Sequence, residues 1–293
     1  MRVGAVGGQS LLVEGERVEA APAPYPAAMS LERVLAAGPA LMPFVTGGYP
    51  RLEETARLLP ALARAGARAI EIGFPFSDPI ADGPIIAQSM SEALRIGTTP
   101  ARIFEMVRSV RASTPAALLA MVSCSIVQRM GGETFVEQAA GAGFDGLIVP
   151  DIDLSDARQL ADRCRERGLA FTVLVAPTSP PERLRRIAEL CSGFLYVLAR
   201  VGITGERGAI PSDLAQRIAV LRGITDLPLA VGFGISDAAQ VRAVLEVADA
   251  AIVGSALVRR MSEAHAQGRD AVAAATDFVA ELAAAVPSAG ART

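Results

Sequence analysis

Tryptophan and lysine are absent from this 293-residue chain, and histidine occurs once, at position 265. A single imidazole excludes a multi-histidine metal centre and any catalytic scheme that needs two. Aromatic residues reach only 4% while hydrophobic residues make up 51%. The core is therefore expected to be built from Ala, Val, Leu and Ile, the composition of parallel sheets covered by helices. The three cysteines, Cys124, Cys164 and Cys191, are odd in number, far apart and without metal-ligand spacing, which fits reduced core thiols. No apolar run approaches the roughly 18 residues of a membrane span, and the N-terminus lacks the order of a signal peptide. A cytoplasmic protein is expected. The 28 basic residues, all arginine, stand against 31 acids for a net charge of -3, so neither nucleic acid nor an anionic membrane is implied as a partner.

Residues 1–28 read differently from the rest: scattered glycines, a short LLV segment and a Pro/Ala run ending at Pro26. They are expected to form a flexible N-terminal extension, with Met29 a candidate start. From Leu31 onward short apolar runs alternate with segments of helical period, the pattern of βα units. Strands are predicted near 40–46, 68–73, 117–123, 145–149, 169–175, 194–198, 228–232 and 249–253. Ala56, Leu59, Leu62 and Ala63 predict one face of a helix ended by Gly66. Ser179-Pro-Pro-Glu182 predicts a capping box. Gly66, Gly143 and Gly168 stand where glycines close helices just before strands. Eight such units in about 255 residues suit an α/β protein of the (β/α)8 TIM-barrel class, a single catalytic domain over 29–293. A doubly wound open sheet is the structural alternative, but no G-x-G-x-x-G follows the first strand.

The stretch AIEIGFPFSDPIADGP, from Ala69 to Pro84, sets one carboxylate, Glu71, inside an apolar strand. Burying an ionised acid without partners is costly, so such a group is usually paired, pKa-shifted or functional. Barrel chemistry sits at the C-terminal ends of the strands, where Glu71 and the loop residue Asp82 could divide acid and base work. A structural glutamate and a helix-capping aspartate would give the same pattern. Gly202-Ile-Thr-Gly205, Gly232-Phe-Gly-Ile-Ser236 and Gly254-Ser255 follow the last three strands, and backbone amides at such turns make an anion site where barrels commonly hold a phosphate. Phe44, Tyr196 and Phe233 place aromatic faces near the same mouth, suiting a planar apolar substrate head or plain core packing.

At these residues a family resemblance becomes specific. Pro43 to Pro50, Glu71 to Pro84, Gly202 to Gly205, Gly232 to Ser236 and Gly254-Ser255 resemble the signature segments of the tryptophan synthase alpha subunit, in order and spacing, over about Leu31 to Ala285. The resemblance implies a barrel that cleaves indole-3-glycerol phosphate to indole and glyceraldehyde 3-phosphate without metal or organic cofactor. It implies Glu71 as proton shuttle and Asp82 as the group holding the indole N–H. Gly205, Gly234, Gly254 and Ser255 match phosphate binders. Phe44, Ile148, Tyr196 and Phe233 match residues lining the indole pocket, and Thr204 a loop threonine that contacts the catalytic aspartate.

Two segments depart from the family pattern: Met121 to Val127 after the third strand, and Asp151 to Asp156 after the fourth, where Asp153 replaces an expected proline. In the family these loops dock on the beta subunit. The sequence therefore predicts a retained cleavage reaction with a weakened beta-subunit partnership, or a stand-alone lyase that releases indole. Another phosphosugar barrel enzyme, or a non-catalytic paralogue binding an indole phosphate or a partner, are the readings of other classes.

Overall fold

The computed structural model describes residues 31–78, 83–199, 211–232 and 234–288. The strands are β1 (Ala40–Thr46), β2 (Ala69–Gly73), β3 (Ala117–Met121), β4 (Gly146–Ile148), β5 (Ala170–Thr172), β6 (Leu174–Val175), β7 (Leu195–Leu198), β8 (Leu229–Gly232) and β9 (Ala250–Val253). All pair in parallel, in the order β5-β4-β3-β2-β1-β9-β8-β7-β6. The two ends of that order are one piece of chain, because only Val173 separates β5 from β6. One half pairs with β4 and the other with β7, and the sheet closes into a barrel.

The eight expected strands are thus present, with the fifth broken in two. Side chains around the break take the place of ladder bonds. The Val173 N–H donates to the Cys191 sulfur at 3.4 Å, the Phe171 N–H to Ser192 Oγ at 3.0 Å, and the Thr172 hydroxyl to the Phe194 carbonyl at 3.1 Å. All three cysteines are free thiols. Cys164 and Cys191 are buried as expected, and burial pushes both up to about 12; Cys124 is only half-buried.

Helices α1 (Leu31–Ala36), α2 (Leu52–Arg64), α3 (Pro84–Arg95), α4 (Pro100–Val110), α5 (Cys124–Met130), α6 (Gly132–Ala142), α7 (Leu154–Glu166), α8 (Pro181–Leu190), α9 (Leu214–Arg222), α10 (Ala238–Leu245), α11 (Ser255–Ala266) and α12 (Ala271–Ala283) alternate with the strands. Strand alternation sorts the interior into two cores. Leu41, Val45, Ile70, Ile72, Leu118 and Val231 pack outward against the helices. Ala40, Met42, Ala69, Ala117, Leu119, Ile148, Tyr196, Ala230, Ala250 and Ile252 fill the lumen. The lumen residues nearest the strand starts are mostly alanine, which leaves room for Leu31, Val34 and Leu35 of α1. These share one helical face and close that end of the barrel.

Two local expectations change. The buried face of α2 is Thr55, Leu58, Leu59 and Leu62, with Ala56 and Ala63 at its margin. The α8 capping box does not form: Pro180 is the N-cap, Pro181 opens the helix, and no side chain caps it. A second proline is also suited to the first helical position, so the helix starts one residue later than Ser179 would set. Gly66, Gly143 and Gly168 do close helices, with φ of 108°, 92° and 72°.

The strand starts are locked by two matching aspartates. Asp145 precedes β4, donates its N–H to the Leu118 carbonyl, accepts the Leu118 N–H on Oδ2 at 2.7 Å, and offers its carbonyl to Ala170. Asp249 precedes β9 and repeats this with Leu229 and Ala40. Each carboxylate also meets an arginine from the end of the helix before the preceding strand: Arg111 at 3.2 Å from Asp145, and Arg222 against Asp249. Arg111 further donates to the Thr114 and Ala116 carbonyls at 2.8 Å each. The Arg111–Asp145 pair is buried while Arg222 is partly exposed. Removing one member of a buried pair strands the other, so Asp145→Ala should cost about 3–5 kcal/mol in urea unfolding. Asp249→Ala, beside a solvated arginine, should cost about 1–3 kcal/mol, mainly from the Leu229 N–H left without its acceptor.

Candidate active site

Because side chains alternate along β2, Ile70 and Ile72 face the helices while Ala69, Glu71 and Gly73 face the lumen. Glu71 pairs in register with Phe44 on one side and Leu119 on the other. It is 0% exposed, and neither carboxylate oxygen has a hydrogen-bond partner among the described residues. Burial alone drives its pKa well above the ordinary carboxylate range. A carboxyl that holds its proton this tightly can give it and take it back.

Two strand-end glycines make room for aromatic rings at this end of the barrel. A Cβ on Gly73 would lie 2.5 Å from Phe44 Cζ, and one on Gly232 would lie 2.6 Å from the Tyr196 hydroxyl oxygen. Each strand thus ends in a glycine over which the neighbouring strand's aromatic ring lies. Phe44 and Tyr196 are buried, Tyr196 with its centroid 6.4 Å from that of Phe194. Ile148 is also buried in the lumen. Met121, Leu174 and Leu198 are partly buried against the same cluster. From the sequence Met121 stands out only as the start of a departing segment, and Leu174 and Leu198 not at all; the signal that marks all three is the inward strand parity they share with Glu71 and Tyr196.

Gly254 also approaches Phe44: a Cβ there would sit 3.5 Å from Phe44 Cβ. Gly254 is the N-cap of α11 and Ser255 its first residue, with no side chain capping the end. Intrahelical bonding starts with the Val258 N–H to the Gly254 carbonyl. The earlier N–H groups have no intrahelical acceptor, and the helix dipole adds positive potential there. Gly234, at φ 95°, lies in the turn after β8. Phe44, Glu71, Gly254 and Ser255 are therefore brought together on one side of the mouth, with Tyr196, Gly232 and Gly234 on the β7–β8 side. Asp82, Thr204, Gly205 and Phe233 lie outside the described residues. The chain that follows Asp82 is anchored: α3 opens at Pro84, and its buried Ser89 hydroxyl lies 2.7 Å from that of Thr46 at the end of β1.

The two departing loops are tied to each other. Asp151 accepts the Ser123 hydroxyl on Oδ2 at 2.7 Å and the Cys124 N–H on Oδ1 at 2.8 Å. Asp153 is the N-cap residue of α7 but makes no side-chain cap bond.

The chain matches the tryptophan synthase alpha chain family over residues 33–287. It is 44% identical over 225 residues to the tryptophan synthase alpha chain of Halorhodospira halophila, covering 76% of this chain and 82% of that one. To the Prochlorococcus marinus alpha chain it is 45% identical over 235 residues, covering 80% and 86%. Among solved structures, tryptophan synthase of Mycobacterium tuberculosis superposes with a TM-score of 0.80 at 32% identity, covering 88% of this chain and 98% of that one.

The unpartnered acid has a signature in stability. Unfolded, Glu71 ionises at about 4.3; folded, it resists ionisation. As pH rises from that value through the folded pKa, the unfolded state gives up its proton first, so stability falls and then levels off. Glu71→Gln removes this loss. The variant should melt several degrees above wild type at about pH 8, with the gap closing towards about pH 5. A gap independent of pH in thermal unfolding would contradict the burial account.

Proposed function

The chain belongs to the tryptophan synthase alpha chain family, carbon–carbon lyases of tryptophan biosynthesis that cleave indole-3-glycerol phosphate to indole and glyceraldehyde 3-phosphate, and on that premise we propose how its barrel mouth divides the work. The observation that carries the reading is Glu71, buried and unpartnered among the described residues. Its protonated carboxyl gives a proton to indole C3, leaving positive charge on the ring nitrogen. The resulting carboxylate takes the proton of the adjacent glycerol hydroxyl. The oxygen's electrons form the aldehyde, the carbon–carbon bond breaks, and its electron pair restores the aromatic indole. Asp82 accepts the indole N–H and offsets the charge on that nitrogen.

Phe44, Ile148, Tyr196 and Phe233 enclose the ring, with Thr204 contacting Asp82. Gly205, Gly234, Gly254 and Ser255 hold the phosphate through backbone N–H groups, supported by the open N-terminus of α11 beside Phe44. A chain without lysine cannot form the Schiff base of an imine-type aldolase, so proton transfer at the indole ring is the remaining way for its own side chains to make a leaving group. We take residues 29–293 as the catalytic unit, with 1–28 added to it. No described helix is long and apolar enough to cross a membrane, and we place the protein in the cytoplasm.

A beta subunit is the partner that family membership implies. In this chain Asp151 spends its carboxylate on Ser123 and Cys124 of the neighbouring loop, which favours weak coupling to that subunit or a stand-alone lyase.

Glu71→Gln and Asp82→Asn should each lower indole formation by about a thousandfold with the far-UV spectrum unchanged; wild-type turnover in either would overturn its role. The beta subunit from the same genome should stimulate cleavage by less than about fivefold. Stimulation by two orders of magnitude would restore full coupling.

A further inference from the structure

Arg217 projects from α9 and is only 19% exposed, yet its carboxylate neighbour is remote: Asp213 lies 4.0 Å away and is itself 60% exposed. Such a solvated contact is worth little. The guanidinium is spent instead on two successive carbonyls, those of Ala199 at 2.9 Å and Leu198 at 2.5 Å. Desolvation lowers its pKa without bringing an arginine near neutrality. A part-buried charge used to hold main chain has a cost, and the place it holds is specific: the exit of β7.

Three observations link that exit to the ring pocket. The Ala199 N–H donates to the Gly232 carbonyl at 2.9 Å, continuing the β7–β8 ladder one residue past Leu198. Leu198 pairs with Gly232 and Tyr196 with Ala230. The Tyr196 ring lies over Gly232, where a Cβ would meet its Cε1 at 2.9 Å. Tyr196 is therefore two and three residues upstream of the carbonyls that Arg217 grips, and rests on Gly232, the register partner of Leu198.

Resting on the cleavage reading above, we propose that Arg217 is a positioning residue for the aromatic half of the substrate: it fixes the end of β7 so that Tyr196 stays over Gly232 and the pocket keeps its width. It touches no substrate. At the phosphate end, the N-terminus of α11 and the turn after β8 do not depend on it; of the phosphate binders proposed above, Gly205 alone follows the clamped carbonyls along the chain before α9.

Calorimetry with two probes separates this from a general structural role. Indole-3-propanol phosphate carries ring and phosphate but lacks the hydroxyl needed for cleavage; glyceraldehyde 3-phosphate carries the phosphate without the ring. Arg217→Met should bind the first about tenfold more weakly, about 1.4 kcal/mol, and the second within about twofold of wild type. Arg217→Lys, with one compact head group, cannot span both carbonyls as the fork does; it should show the same selective loss at about threefold, and supplies the test if the methionine variant does not fold. Equal weakening of both probes, or of neither, overturns the proposal. Wild-type protein that binds the indole probe but releases no indole from indole-3-glycerol phosphate overturns the catalytic reading and leaves Arg217 where it stands. Wild type that binds neither probe overturns both.

Discussion

One desolvation, uncompensated among the described residues, shapes this protein: a glutamate carried into the lumen of a parallel barrel with apolar neighbours in register on both sides. The rest of the architecture makes that tolerable and useful. Closure of the sheet removes water from Glu71, strand parity fixes the direction of its side chain, and glycines at the ends of β2 and β8 make room for the Phe44 and Tyr196 rings. An acid in this setting holds its proton more tightly than usual because none of the described residues offers its ionised form a partner. The same lack of a partner makes it a liability for folding.

Much of this was legible in the sequence because it is local. The strands appear where apolar runs met turn signals; β1 matches its expected bounds, and others differ by a residue or two. Glu71 could be singled out because an acid between Ile70 and Ile72 contradicts its surroundings. What escaped was non-local. Nothing near Val173 announces that its N–H will leave the ladder for Cys191, eighteen positions on. Arg111 and Asp145 look like ordinary surface charges until the fold buries them together. Met121, Leu174 and Leu198 were passed over since an aliphatic strand-end residue looks the same whether it lines a pocket or a core. At α8 the signals competed, with two consecutive prolines suited to the same role and the chain using the second.

The two ends of the barrel follow different rules. At the strand starts, small alanines admit the α1 plug and each carboxylate is bonded through Oδ2 to a strand N–H and an arginine. At the mouth, glycines replace side chains, the acid is unbonded among the described residues, and a helix end is left uncapped. Arg217 stands at the border: a charge placed at the mouth but bonded in the manner of the opposite end.

The matched aspartates carry a geometrical consequence. With β5 and β6 counted as one broken strand, Asp145 precedes the fourth staves of the barrel and Asp249 the eighth, so the two sit diametrically opposed around its circumference. A closed sheet can fail by sliding one strand past its neighbour, which changes the stagger of the whole hoop. Each aspartate joins three successive strands through its own N–H, carbonyl and side chain, so a slide at either point breaks several bonds at once. Two such rivets, half a turn apart, fix the stagger for both halves of the barrel and leave its open rim free to be built for chemistry.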